Sequence, residues 1–196
     1  LQNIIDELNG HIRTFAIIGE KENGIMNNPH YKVNDDLIYN VTKDISKPFT
    51  FNRLFQQNND NIENILQSDI KIYCDMCLNN QEDFNVFNIS SESSQEFQTK
   101  FLKFFWTNYR EKFDITYQNL SLYNEKFTDD SPFSVKNNTI TLDRTPVQLK
   151  DDIPTNLGEI NDKELIQLKI LKIKLCDKND KDIQTDFYLL QIDNLD

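Results

Sequence analysis

Aromatic side chains recur at every fourth position through Phe97, Phe101, Phe105, Tyr109 and Phe113, with Leu102 and Trp106 beside them. That spacing dictates a helix with one bulky apolar stripe, and such a stripe has to be buried. Just before it, Phe84, Val86 and Ile89 stand among polar residues in a short run suited to a strand. Between the two lies the polar loop Ser90-Ser91-Glu92-Ser93-Ser94-Gln95. Ser93 with Glu96 three positions on forms a capping box, which starts the helix near Ser94. Residues 84–113 therefore read as strand, loop and helix, and the strand is expected at the centre of a sheet.

A strand feeding a loop that opens a helix is the layout of a phosphate-binding loop, where helix-start amides hold anionic oxygens. That chemistry calls for glycine, a lysine and a Ser or Thr for magnesium. Here no glycine occurs between Gly24 and Gly158, Glu92 and Glu96 add negative charge, and no lysine–threonine pair is present. Carboxylates beside phosphate groups repel them. The layout suits a nucleotide and the side chains do not.

The chain has 196 residues and a formal net charge of −11, enough for one domain or one domain with a short extension. An acidic surface of this kind argues against nucleic-acid binding and against a basic membrane-surface patch. No apolar run approaches the roughly 18 residues that cross a bilayer. Leu1 in place of methionine leads to the expectation of a portion of a longer protein. Cys74, Cys77 and Cys176 are an odd number of cysteines, which fits a reducing compartment. Cys74-Asp75-Met76-Cys77 has half-site spacing without a second pair nearby, and His11 and His30 lack ligand spacing, so no metal site is expected.

Leu1, Ile5, Leu8 and Ile12 are spaced four, three and four. They fit either the last two heptads of a coiled coil or a simple amphipathic helix. Strands are expected over 13–18, 31–33, 37–41 and around Phe49 and Phe51. Asp60 with Glu63 caps a helix whose apolar face is Ile62, Ile65, Leu66, Ile70, Tyr73 and Cys77, ending near Asn79-Asn80. Residues 114–125 form a strand with Leu120 and Leu122 on one side. Residues 135–142 and 147–149 suggest a hairpin. Residues 165–176 alternate, and residues 187–192 are nearly all apolar, as in a strand buried on both faces. Interleaved strands and long helices imply an α/β fold: a central mixed sheet flanked by helices on both faces.

The order of these parts resembles a kinesin motor domain of the C-terminal-motor, kinesin-14 type. Residues 1–18 are similar to the end of that family's neck coiled coil running into the first strand. Lys47-Pro48-Phe49-Thr50-Phe51-Asn52-Arg53-Leu54-Phe55 resembles its F-x-F-D-x-V-F strand. Leu122-Tyr123-Asn124-Glu125 resembles its I-Y-N-E, and Leu189-Leu190-Gln191-Ile192-Asp193 sits where it has L-x-L-V-D-L-A-G. On this alignment the phosphate loop falls at Ser90, with Glu96 and Phe97 at its lysine and threonine positions. The switch II aspartate falls on Asp193 and its glycine on Asp196. The adenine-side R-x-R-P is replaced by Ile17-Ile18-Gly19-Glu20, and no switch I motif precedes Cys176.

The elements that touch nucleotide are thus lost together. The resemblance is to the non-catalytic partner subunits of budding-yeast kinesin-14 heterodimers. It implies a neck over 1–12 and a motor-homology domain over 13–196, incomplete on its C-terminal side. Leu1, Ile5 and Leu8 would pair with a catalytic kinesin-14 subunit. Lys136, Arg144 and Lys150, assigned to one hairpin, are the candidate microtubule contacts. It further implies binding to microtubules without nucleotide, no enzymatic activity, no cofactor, no nucleic acid or membrane partner, and a place on the cytoskeleton or spindle, in cytoplasm or nucleus. The alternatives are a degenerate motor ATPase and an unrelated α/β interaction scaffold.

Overall fold

The computed structural model describes residues 14–18, 31–34, 37–40, 49–50, 53–56, 61–89, 95–123, 126–127, 133–136, 139–142, 145–155, 157 and 167–193. Its strands are β1 (Phe15–Ile18), β2 (Tyr31–Asn34), β3 (Leu37–Asn40), β4 (Phe49–Thr50), β5 (Arg53–Gln56), β6 (Phe84–Ile89) and β7 (Phe113–Tyr123). They continue as β8 (Lys126–Phe127), β9 (Phe133–Lys136), β10 (Thr139–Leu142), β11 (Val147–Gln148), β12 (Gln167–Asp177) and β13 (Gln184–Asp193). The helices are α1 (Asn61–Ile65), α2 (Lys71–Asn80) and α3 (Gln95–Tyr109), with a π-helical segment Leu66–Ile70 joining the first two. The capping residues Asp60 and Ser93 lie outside the described residues.

The chain divides into two compact units, Leu1–Asn61 and Ile62–Asp196. In the first, β1 pairs in parallel with β5, and Phe15 and Phe55 meet at 6.2 Å. A separate meander there has the order β2-β3-β4. In the second, the main sheet has the order β11-β7-β12-β13-β6, with β8 on β7. Among the described residues only β6 with β13 is parallel in this sheet, which is therefore mixed.

Alternation along the strands sorts this sheet into two faces. Phe113 and Ile115 of β7, Leu171, Ile173 and Leu175 of β12, and Phe187 and Leu189 of β13 are all buried and share one face. The stripe of α3 lies on that face: Phe101 and Phe105 are fully buried, and the Phe105 ring sits 4.7 Å from Phe187. From α2, Tyr73 stacks on Phe84 at 6.2 Å, so among the described residues both helices cover the same face. Each large apolar side chain removed from water here stabilises the fold by about 1.5–3 kcal/mol.

Several expectations need correction. The strand β6 ends the described sheet instead of lying at its middle. Its even positions are half-buried, while Phe87 and Ile89 on the odd side are 71 % and 63 % exposed. The residues assigned to one hairpin separate. Here β9 pairs with β10, two residues apart in sequence, whereas β11 pairs with β7 through Val147 and Tyr117. The strand β13 is buried on one face and half-buried on the other. Phe113 starts β7 and is not the last turn of the helix, which closes at Tyr109. After the π-helical segment it is Cys74, not Cys77, that is fully buried, because a wider turn advances the buried face by one position.

Candidate functional site

The parallel pair β6 and β13 brings two carboxyl ends side by side, and the chain from β6 leads on into α3. In α/β sheets this end of the strands is where ligands are held. Glu96 falls in the first turn of α3, and Phe97 beside it is buried. Asp193, the last residue of β13, is completely buried, and its carboxylate is consumed inside the chain. Lys169 Nζ donates to Oδ2 at 2.7 Å, and Gln191 Nε2 donates to Oδ1 at 2.7 Å. The Lys169 side chain is 5 % exposed. Register explains the meeting: Lys169 lies opposite Gln191, one strand over, and Asp193 is two positions further on the same face. A buried charge pair of this quality is neutral as a unit, and deleting one partner costs about 3–5 kcal/mol because the other is stranded.

This donor set does not fit a magnesium nucleotide. The helix start carries acid and bulk where small and basic groups are required, and the buried carboxylate at the end of β13 already has its cation. Among the described residues no group of three His, Cys, Asp or Glu could hold a metal ion.

The other ionisable clusters are structural. Tyr109 donates to Asp75 at 2.8 Å, and Lys71 donates to the other Asp75 oxygen at 2.6 Å, which ties α3 to α2. Burial first, then the nearby Cys74 and Asp75, hold the Tyr109 phenol protonated. Burial also raises the Cys74 thiol, and it pushes Cys77 up to about 11. Both therefore stay thiols at neutral pH, which leaves them poor nucleophiles and poor metal ligands. Asp177 closes the turn after β12: its Oδ1 accepts from the Asn179 amide at 2.8 Å and the Asp180 amide at 3.3 Å. Those amides, with Lys112 at 3.7 Å, hold its carboxyl below the usual range.

Of the residues singled out by sequence, the structure places Glu96, Phe97, Asp193, Lys136 and Lys150. Lys136 ends β9, and Lys150 is exposed two residues after β11, so the two belong to different strand pairs. Leu1, Ile5, Leu8, Ser90, Arg144 and Asp196 lie outside the described residues. Lys169 and Gln191 were not anticipated. The sequence pointed the other way: Ile166, Leu168 and Ile170 carry the apolar alternation around Lys169, and the parity that buries it, shared with Leu171, Ile173 and Leu175, emerges only further along the strand.

Comparison with known proteins returns one family, microtubule binding, whose model matches residues 1–130. The spindle pole body-associated protein VIK1 of Saccharomyces cerevisiae is 25 % identical over all of this chain, which spans only 34 % of that protein. A solved C-terminal domain of Vik1, which has a motor domain fold but lacks a nucleotide-binding site, aligns with a TM-score of 0.76. The identity is 21 %, over 99 % of this chain and 73 % of that one. The motor and motor homology domain of Kar3Vik1, fused to a synthetic heterodimeric coiled coil, aligns with a TM-score of 0.72. There the identity is 22 %, over 99 % and 66 %. The fold is therefore that of a kinesin-like motor domain.

Proposed function

The chain belongs to the microtubule-binding family, and from that premise we propose that it is a non-catalytic kinesin-like subunit: it binds microtubules without nucleotide and pairs with a catalytic kinesin-14 motor. The observation that carries this reading is the buried Lys169–Asp193 pair at the carboxyl end of β13. A carboxylate that is already neutralised from within has no charge left for a magnesium nucleotide. The acidic, bulky start of α3 supports the same conclusion. The similar Vik1 domain lacks a nucleotide-binding site and Kar3Vik1 pairs a motor with a motor homology domain, both of which support the subunit assignment. By the same reasoning the protein works on the spindle.

In this reading residues 1–12 are the end of a neck, with Leu1, Ile5 and Leu8 facing the partner helix, and residues 13–196 are motor-homology domain. Lys136, Arg144 and Lys150 contact the filament. Their positive charges have to act locally, since the net charge of −11 opposes approach to an acidic partner at long range. Force reaches this subunit through the neck, because an equilibrium shifts only when something distinguishes its two states.

Co-sedimentation of the full-length protein with microtubules, with and without ATP and at two salt concentrations, tests the reading. Pelleting that ignores ATP and weakens with salt is expected. Failure to pellet at low salt would overturn it. Release by ATP alone would favour a degenerate motor ATPase.

A further inference from the structure

We propose that the Lys169–Asp193–Gln191 network is a built-in replacement for a bound cationic ligand, a latch that gives the carboxyl end of β13 one conformation with nothing bound. The inference rests on the reading that the chain takes no nucleotide, and it goes further by saying what does the ligand's work instead.

Three polar side chains, Lys169, Gln191 and Asp193, are buried together on the face covered by the helices. A carboxylate taken fully out of water is tolerable only with a counter-charge and hydrogen bonds. In a ligand-holding sheet that counter-charge arrives with the ligand, whose binding stabilises the state it occupies. Here it comes from β12. Lys169 reaches one carboxylate oxygen, and Gln191, two residues before Asp193 on the same strand, holds the other. The two contacts fix both oxygens and therefore the rotamer of the last residue of the strand. Both donors sit in paired β-structure, so the latch is set by strand register and needs no loop to close. The other charge pair between these strands, Lys172 with Asp186 at 2.6 Å, lies on the opposite face and is about one-fifth exposed, so it cannot substitute.

Amide hydrogen exchange on the whole protein tests the latch. In the wild type, protection across residues 167–171 and 189–193 is expected to be the same with and without millimolar magnesium and ADP. Lys169→Met strands the Asp193 carboxylate and should lower protection in those two segments about a hundredfold, while α2 and α3 change less. Lys169→Met with Asp193→Leu removes both charges and should return protection to within about tenfold of wild type. If Lys169→Met fails to fold, Asp193→Asn is read in the same segments. That variant keeps the shape and loses the charge, and it should lower protection there too. Unchanged protection in the single variants overturns the latch, as does a double variant no better protected than Lys169→Met. ADP binding to the wild type, measured by calorimetry, would instead overturn the nucleotide-free reading. The two failures are therefore separable.

Discussion

Replacing Phe105 by alanine tests the packing on which the whole site is built. Its ring is fully buried and touches four others: Phe187 at 4.7 Å, Phe101 at 5.0 Å, Phe104 at 5.3 Å and Tyr109 at 5.6 Å. The contact to Phe187 joins α3 to β13, so removal leaves a cavity between helix and sheet. Truncating a buried phenylalanine costs about 3–5 kcal/mol, the lost transfer energy plus the cavity. With a urea dependence of about 2 kcal/mol per molar, a loss of about 4 kcal/mol moves the unfolding midpoint down by about 2 M at unchanged slope. Phe87→Ala is the control. That ring is 71 % exposed, and its loss should cost no more than about 0.5 kcal/mol, or about 0.3 M. Urea unfolding followed by circular dichroism reads both variants. Equal midpoint shifts in the two, or a shift under about 0.5 M for Phe105→Ala, would refute the placement of α3 on the sheet.

Two further outcomes follow from single residues. Gln81 closes α2 with φ 57°, the left-handed region, and its amide donates to the Cys77 carbonyl. Gln81→Gly keeps that bond and relieves the side-chain clash, so thermal unfolding should show a gain of about 0.5–1 kcal/mol; a loss would mean the glutamine side chain holds the turn. Asp177 is held below its unfolded pKa chiefly by the Asn179 amide, so the folded protein binds fewer protons than the unfolded chain. Its contribution is complete above the unfolded value and drains as pH falls through the folded value. Asp177→Asn should therefore flatten the acid limb of the melting-temperature profile below about pH 4. Part of that limb should survive, because Lys181 also holds the Asp114 carboxyl low. Identical acid limbs in wild type and variant would contradict the assignment.

Much of the helical packing was legible, because a helix writes its buried face into local spacing. The series Phe97, Phe101, Phe105, Tyr109 is buried as that spacing demands. Phe104 was passed over, yet it is buried as well, since a core-facing stripe spans more than one row. Strand pairing left no such local trace. Residues 135–142 and 147–149 look alike as strands, but the first pairs within itself and the second reaches Tyr117, 30 positions back. The same holds for β6, whose neighbour depends on where β13 arrives. The residues of β6 gave no warning of its edge position: the exposed side carries Phe87 and Ile89 and the half-buried side Asn88, so apolar groups fall on both faces as they would in a covered strand.

The site divides in the same way. What is missing from it could be read directly: no glycine, no lysine and an acid at the helix start are local facts about residues 90–97. What replaced them could not, because Lys169 and Asp193 lie 24 positions apart and meet only through the register of β12 on β13. Nor was the lysine legible as a core residue: Leu168 and Ile170 carry the apolar parity around it, and Leu171, Ile173 and Leu175 take up its own side only further on. Once register sets Lys169 on the buried face, it has to find a carboxylate or leave the sheet. Asp193, the acid at the end of a nearly all-apolar strand, was the available partner. Once that register is known, asking which buried cation answers which buried anion locates the pair. In the reading proposed above, the loss of a nucleotide site is then a substitution of one charge arrangement for another, not a deletion.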